Sequence, residues 1–161
     1  MNIYNILIIL FNGDNMKKFF KFLLFLLPWF LSSLFMENTA FYKTLNLPFF
    51  APPGWVFPIV WPILYVLIAI SIYKISEIGF TYQYKNFLIL NYFLNQSFTI
   101  FFFNFKSIVL GFTSSLLTLL TAYFLYDETK KIDKKTSYLL IPYLVWLLFA
   151  SILSTTILFM N

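Results

Sequence analysis

Apolar residues in this chain run in long unbroken blocks, and the charged residues fall between the blocks. Charge-free stretches extend over Phe22–Met36 (15 residues), Thr44–Tyr73 (30), Asn86–Phe105 (20), Ser107–Tyr126 (20) and Thr136–Asn161 (26). An α-helix rises about 1.5 Å per residue, so ~20 residues cross a hydrocarbon core of ~30 Å. Four stretches reach that length outright, and the first reaches it if Lys21 extends its ammonium to the headgroups. The pattern predicts five transmembrane helices, near 19–36, 55–75, 86–105, 107–126 and 137–159. The alternating segments of about ten residues that a membrane β-barrel needs are absent. No internal repeat is visible, and an odd helix count argues against a simple two-fold repeat transporter. The predicted class is all-α, an integral membrane protein built as a five-transmembrane-helix bundle.

The Lys positions orient this bundle. Lys17, Lys18, Lys21, Lys74, Lys85, Lys130, Lys131, Lys134 and Lys135 fall on one side of the predicted membrane, and only Lys43 and Lys106 on the other. Cytoplasmic loops carry the excess of basic residues, so the N-terminus is expected in the cytoplasm and the C-terminus outside. The long loop Glu37–Gly54 then lies on the outer face. Residues 1–18 read as an N-terminal extension before a membrane domain of residues 19–160. The Ile6–Phe11 segment is too short to span, and Met16-Lys17-Lys18 before an apolar run resembles a bacterial start. Met16 is therefore preferred to Met1 as the true first residue. The same basic pair and apolar run resemble a signal peptide, but no small-residue cleavage site follows, which keeps the run as the first helix.

Composition sharpens this picture by exclusion. Hydrophobic residues make up 61% of the chain and charged residues 11%, against roughly 45–50% and 25% in soluble domains. So few charges cannot cover the surface of a small water-soluble fold. Zero Cys removes disulfides, thiolate metal sites and Cys nucleophiles. Zero His removes the commonest general base and the usual haem axial ligand. All basic residues are Lys, so no guanidinium fork is present to grip phosphate or carboxylate. The +5 charge therefore signals topology, not nucleic-acid binding, and no metal site is expected.

The richest stretch runs from Phe41 to Tyr65. Pro48, Pro52, Pro53 and Gly54 forbid regular helix there and stiffen the connection. Pro58 is tolerated in the first turns of the following helix, where N–H groups lack partners anyway. Trp61 and Tyr65 then share one helix face. An interfacial loop with aromatic-belt residues accounts for these features by itself.

The arrangement closely resembles the TspO/MBR family, which comprises tryptophan-rich sensory proteins, translocator proteins and peripheral-type benzodiazepine receptors. Tyr42, Leu45, Pro48, Pro52, Pro53, Trp55, Phe57, Trp61, Leu64 and Tyr65 fit the family's W-Y-x-x-L-x-x-P-x-[WF]-x-P-P-x-W-x-F-x-x-x-W-x-x-L-Y segment. Phe41 and Phe49 stand where tryptophan is often found. In the third helix Leu90–Thr99 resembles the family's Asn-containing segment, with Phe98 at a common Trp position. In the fifth, Pro142-Tyr143, Trp146 and Phe149-Ala150 resemble P-Y-x-x-W-x-x-[FY]-A, and Leu153-Ser154 replaces a common Leu-Asn.

The intramembrane polar residues have two readings. Asn91 and Asn95 lie one turn apart on a stripe continued by Phe98 and Phe102. Buried amides in hydrocarbon must be paired or face a cavity. They can serve as hydrogen-bond glue between helices or as the polar anchor of an aromatic pocket. Pro142, Trp146, Ala150 and Ser154 recur every fourth residue on the last helix, where small side chains permit close packing or leave space for a flat ligand.

The resemblance implies a membrane receptor or carrier for porphyrin-like tetrapyrroles, and for sterol-like flat lipids, with no cofactor required. The expected pocket lies between the first, second, third and fifth helices under the Pro-rich loop. Its expected ligand-binding residues are Tyr42, Pro53, Trp55, Trp61, Tyr65, Asn91, Asn95, Phe98, Trp146, Ala150 and Ser154. Porphyrin propionates would fall to Lys43, to Trp and Tyr donors or to loop amides. Two alternatives accompany this reading: a light-dependent tetrapyrrole-degrading enzyme that uses Trp61 and Trp146, and the substrate-binding subunit of a larger transporter. The expected setting is the bacterial inner membrane, with the lipid bilayer and the small hydrophobic ligand as partners, and a homodimer remains open.

Overall fold

A computed structural model of the 161-residue chain describes residues 13–35 and 40–161. The Ile6–Phe11 segment, the Met1 start and the Met36–Thr39 part of the first loop lie outside the described residues. Every regular element among the described residues is helical. Helix α1 (Gly13–Leu26) continues as a 3₁₀ segment, Leu27–Phe35. A single-turn helix α2 (Phe41–Thr44) begins the Pro-rich connection, which ends in a 3₁₀ turn at Gly54–Val56. Helix α3 spans Phe57–Ile78, and α4 spans Tyr82–Thr99 before closing in a π-helical turn, Ile100–Asn104. Helix α5 (Ile108–Ile132) is followed by the short α6 (Lys134–Ser137), a 3₁₀ turn and α7 (Ile141–Met160).

Three of these runs are long and apolar enough to cross a membrane: Gly54–Ile78, Ile108–Ile132 and Lys134–Met160. The first and third expected spans are helical but fall outside that class among the described residues. In the first, Pro28 has no N–H for the Leu24 carbonyl, and the helix tightens to 3₁₀ geometry. Carbonyls in such a segment need outside donors in an apolar setting. Helix α4 supplies them: the Tyr92 hydroxyl donates to Pro28 O at 3.1 Å and Gln96 Nε2 to Trp29 O at 3.2 Å. Polar side chains that serve this role, together with Gln83, Lys85, Asn91 and Asn95, make α4 itself the most polar of the long helices.

An apolar core that includes Ile68, Ile72 and Leu147 is joined inside the bundle by a small, polar stripe of α5, and the outer faces are apolar. Gly111, Ser114, Ser115, Thr118, Thr121 and Ala122 form the buried stripe of α5, while Leu116, Leu117, Leu120 and Tyr123 are exposed. Small residues let α5 lie close between α4 and α7. The Ser97 and Ser114 hydroxyls meet at 2.9 Å, and those of Ser115 and Ser151 at 3.1 Å.

The charged segment Asp127–Lys135, between the expected spans 107–126 and 137–159, is mostly helix. Lys131 bonds Asp127 at 2.8 Å and Glu128 at 2.7 Å from positions one turn apart, which carries α5 through Ile132. Only Asp133 leaves the helical path, and its carboxylate caps α6 through Lys135 N and Thr136 N. The Thr136 hydroxyl also donates to Asp133 and, with those backbone bonds, holds the carboxyl below its usual range. At the same end of the bundle Lys21 of α1 pairs with Glu77 of α3 and lies over the Tyr73 ring. The opposite end is closed by a reciprocal clasp. Asn46 N donates to Asn161 Oδ1 at 2.8 Å, and Asn161 Nδ2 returns a bond to Asn46 O at 3.0 Å.

The π turn packs on α5 without slack. A Cβ at Gly111 would lie 2.7 Å from Phe102 Cδ2 and 3.1 Å from Phe102 Cβ, closer than side chains tolerate. Overpacking of this kind costs roughly 1–3 kcal/mol. Gly111→Ala is expected to lower the thermal unfolding midpoint in detergent, and an unchanged midpoint would show that the π turn yields freely.

Candidate ligand-binding cavity

A cavity of about 880 Å³ opens inside the bundle beneath the Pro-rich connection, within the ~300–1,000 Å³ range of small-molecule pockets. One wall is α3. Two prolines bracket its first turns, Pro58 near the start and Pro62 inside the helix. Trp61 and Tyr65 follow on the face turned to the cavity, their rings 5.5 Å apart. The facing wall is α7, with Trp146, Ala150, Leu153 and Ser154. Trp146 crosses Trp61 nearly perpendicularly at 6.5 Å and meets Phe57 at 6.0 Å. Among the described residues its buried indole Nε1 has no hydrogen-bond partner.

Helix α4 and its π turn form the third wall. Phe98 and Phe102 stack at 5.4 Å with ring planes 10° apart. The cap comes from the connection. Tyr42 is buried, its ring 5.5 Å from Phe57 and its hydroxyl donating to Pro52 O at 3.2 Å. Burial pushes the Tyr42 phenol up, so it stays a neutral donor. Pro53, Gly54 and Trp55 complete the cap, with Trp55 on the rim at 65% exposure.

The polar centre is a chain of buried amides and phenols. The Tyr65 hydroxyl donates to Asn95 Oδ1 at 3.2 Å, and Asn95 Nδ2 donates to the Tyr143 hydroxyl at 3.3 Å. That hydroxyl donates to Asn91 Oδ1 at 3.1 Å. Asn91 Nδ2 then donates to Thr118 O at 2.9 Å and Thr121 Oγ1 at 3.0 Å. The chain links α3, α4, α5 and α7 through groups buried from solvent.

Tyr42, Pro53, Trp55, Trp61, Tyr65, Asn95, Phe98, Trp146, Ala150 and Ser154 all lie around this one cavity. Asn91 does not. It is fully buried one turn away, with both ends of its amide engaged by α5 and α7, so it acts as interhelical glue. Sequence reasoning also left out the wall supplied by α5, where Ser115 and Thr118 reach the cavity, and Thr99 and Phe103 beside the π turn. The signal for α5 was present in the spacing of Gly111, Ser114, Ser115, Thr118 and Ala122, three or four residues apart along one face.

Fold and site together define a helical membrane protein with an aromatic-walled internal cavity. The chain belongs to the TspO/MBR family, whose profile matches residues 20–160. It is 38% identical over 132 residues to the uncharacterized membrane protein YtaB of Bacillus subtilis, covering 80% of this chain and 84% of that one. It is 36% identical over 132 residues to the tryptophan-rich protein TspO of Bacillus cereus, covering 81% and 86%. The tryptophan-rich sensory protein of Cereibacter sphaeroides is 26% identical over 111 residues, covering 69% and 70%.

Removing the Asn91 amide leaves the buried Tyr143 O–H without its acceptor, and an unmet buried group costs roughly 1–3 kcal/mol. Asn91→Ala is therefore expected to lower the thermal midpoint of the detergent-solubilised protein by several degrees, read by circular dichroism. A midpoint equal to that of the parent would remove Asn91 from the structural core.

Proposed function

We propose that this protein is a receptor or carrier that binds flat hydrophobic molecules in the cavity between its helices, porphyrin-like tetrapyrroles foremost and sterol-like lipids second. The observation that carries this reading is the wall chemistry. Trp61, Trp146, Phe57, Phe98 and Phe102 offer ring faces and edges on opposing sides, and Asn95 offers one amide among them. Aromatic side chains bury large apolar area and favour stacked or edge-on contact with π-systems. With zero His in the chain, a tetrapyrrole is held by its faces and edges and not through an axial imidazole.

The proposed setting is the bacterial inner membrane, crossed five times, with the N-terminus cytoplasmic and the C-terminus outside. Helix α1 and its 3₁₀ continuation hold 14 and 9 residues, about 39 Å at 1.5 and 2.0 Å per residue. That length suits a ~30 Å core. Helix α4, with 18 residues and the π turn beyond them, supplies the other added crossing. The Lys21–Glu77 pair and the Asn46–Asn161 clasp join opposite ends of the bundle, as an up-and-down path requires.

In the expected outcome, titration with protoporphyrin IX quenches tryptophan fluorescence with saturation. Asn95→Ala and Trp146→Ala weaken the apparent affinity several-fold, while Asn91→Ala, away from the cavity, changes it less than twofold once folded. Equal affinity in all of these variants would defeat the pocket.

A second reading, photochemical breakdown of the bound tetrapyrrole, is favoured by one observation. Trp61 and Trp146 are a crossed indole pair on the cavity wall, 6.5 Å apart. Under illumination the Soret band of bound protoporphyrin IX is then expected to fade in the parent and to persist in Trp61→Phe and Trp146→Phe. Fading at the parent rate in both variants would exclude tryptophan chemistry.

A further inference from the structure

Among the described residues that line the cavity, Lys43 alone carries a formal charge. Its neighbour Tyr42 is buried and tied to Pro52 O, and Lys43 N bonds Ala40 O at 3.0 Å. The backbone that carries the ammonium is thereby fixed on the rim, while the side chain reaches solvent. The salt bridges among the described residues involve Lys17, Lys21 and Lys131, and none engages Lys43. The polar groups deeper in the cavity, Asn95, Ser115 and Thr118, are neutral. Among the described residues the cavity is thus electrically one-ended, neutral within and positive at its mouth.

We infer that Lys43 selects ligands that carry a carboxylate at one edge of a flat apolar body, and that it sets their direction, with the apolar edge inward and the anionic edge at the loop. This rests on the reading that the cavity holds a flat hydrophobic ligand. A neutral sterol-like molecule gains nothing from Lys43, whereas a carboxylate leaves water only as far as the rim and meets the Lys43 ammonium there. A buried carboxylate would need a cationic partner, and among the described residues the inner walls offer only neutral donors. An ion pair at a solvated rim is a modest interaction, so Lys43 is a selectivity element and contributes little to total affinity.

Protoporphyrin IX and its dimethyl ester separate these effects, because they share the ring and differ in charge. Both are titrated into the protein in phosphatidylcholine nanodiscs, which carry no net headgroup charge to compete. The parent is expected to bind the diacid about fivefold more tightly than the diester, equivalent to ~1 kcal/mol. Lys43→Gln should equalise the two, Lys43→Arg should retain the preference and Lys43→Glu should invert it, with diester affinity unchanged throughout as the check on folding. The preference should also collapse near 1 M salt, where the screening length is ~3 Å. A diacid preference that survives in Lys43→Gln overturns the assignment of Lys43 alone. Binding of neither compound to the parent overturns the cavity reading beneath it.

Discussion

Hydrocarbon offers a polar group nothing to bond, so every amide, hydroxyl and irregular carbonyl inside this bundle needs a partner from the protein itself. That constraint arranges the interior. Asn91 and Asn95 bring two amides into the bundle, and the phenols of Tyr65 and Tyr143 with the α5 backbone and Thr121 close around them. One hydrogen-bonded chain therefore sets how four helices stand relative to one another. The same rule applies to the first helix, where it continues in 3₁₀ geometry and the Pro28 and Trp29 carbonyls accept from Tyr92 and Gln96 of α4.

The cavity is a consequence of this polar scaffold. Helices pinned at the amide chain cannot collapse further, and the small side chains of Ala150, Ser154 and Ser115 leave the space beside it unfilled. Large rings then line the rest. Interiors are normally packed near crystal density, so a space of about 880 Å³ is a property that the surrounding bonds maintain. The outer faces need no such bonds, and leucines such as Leu116 and Leu120 turn outward toward lipid.

Much of this was legible in one dimension. Apolar runs bounded by Lys locate α3, α5 and α7 to within a few residues, because a hydrocarbon span is a length requirement that composition alone can meet. Of the motif, Tyr42, Pro53, Trp55, Phe57, Trp61 and Tyr65 line the cavity, because local chain stiffness and helix periodicity already place them on one side. What stayed hidden depended on distant contacts. Asn91 and Asn95 share a stripe, yet only the position of Tyr143, some fifty residues on, decides which amide faces open space. The extension of α5 past Tyr126 needed Lys131 to neutralise Asp127 and Glu128, a pairing that a charge count reads as an interruption.

The contact between Phe102 and Gly111 has a consequence for how such a chain can change over time. Phe102 faces the cavity on one side and the bare α-carbon of Gly111 on the other. Neither position is free to vary alone. A side chain gained at 111 demands a smaller residue at 102, and that exchange would enlarge the cavity from behind. The size of the cavity is thus adjustable by a paired replacement, one half of which does not line it.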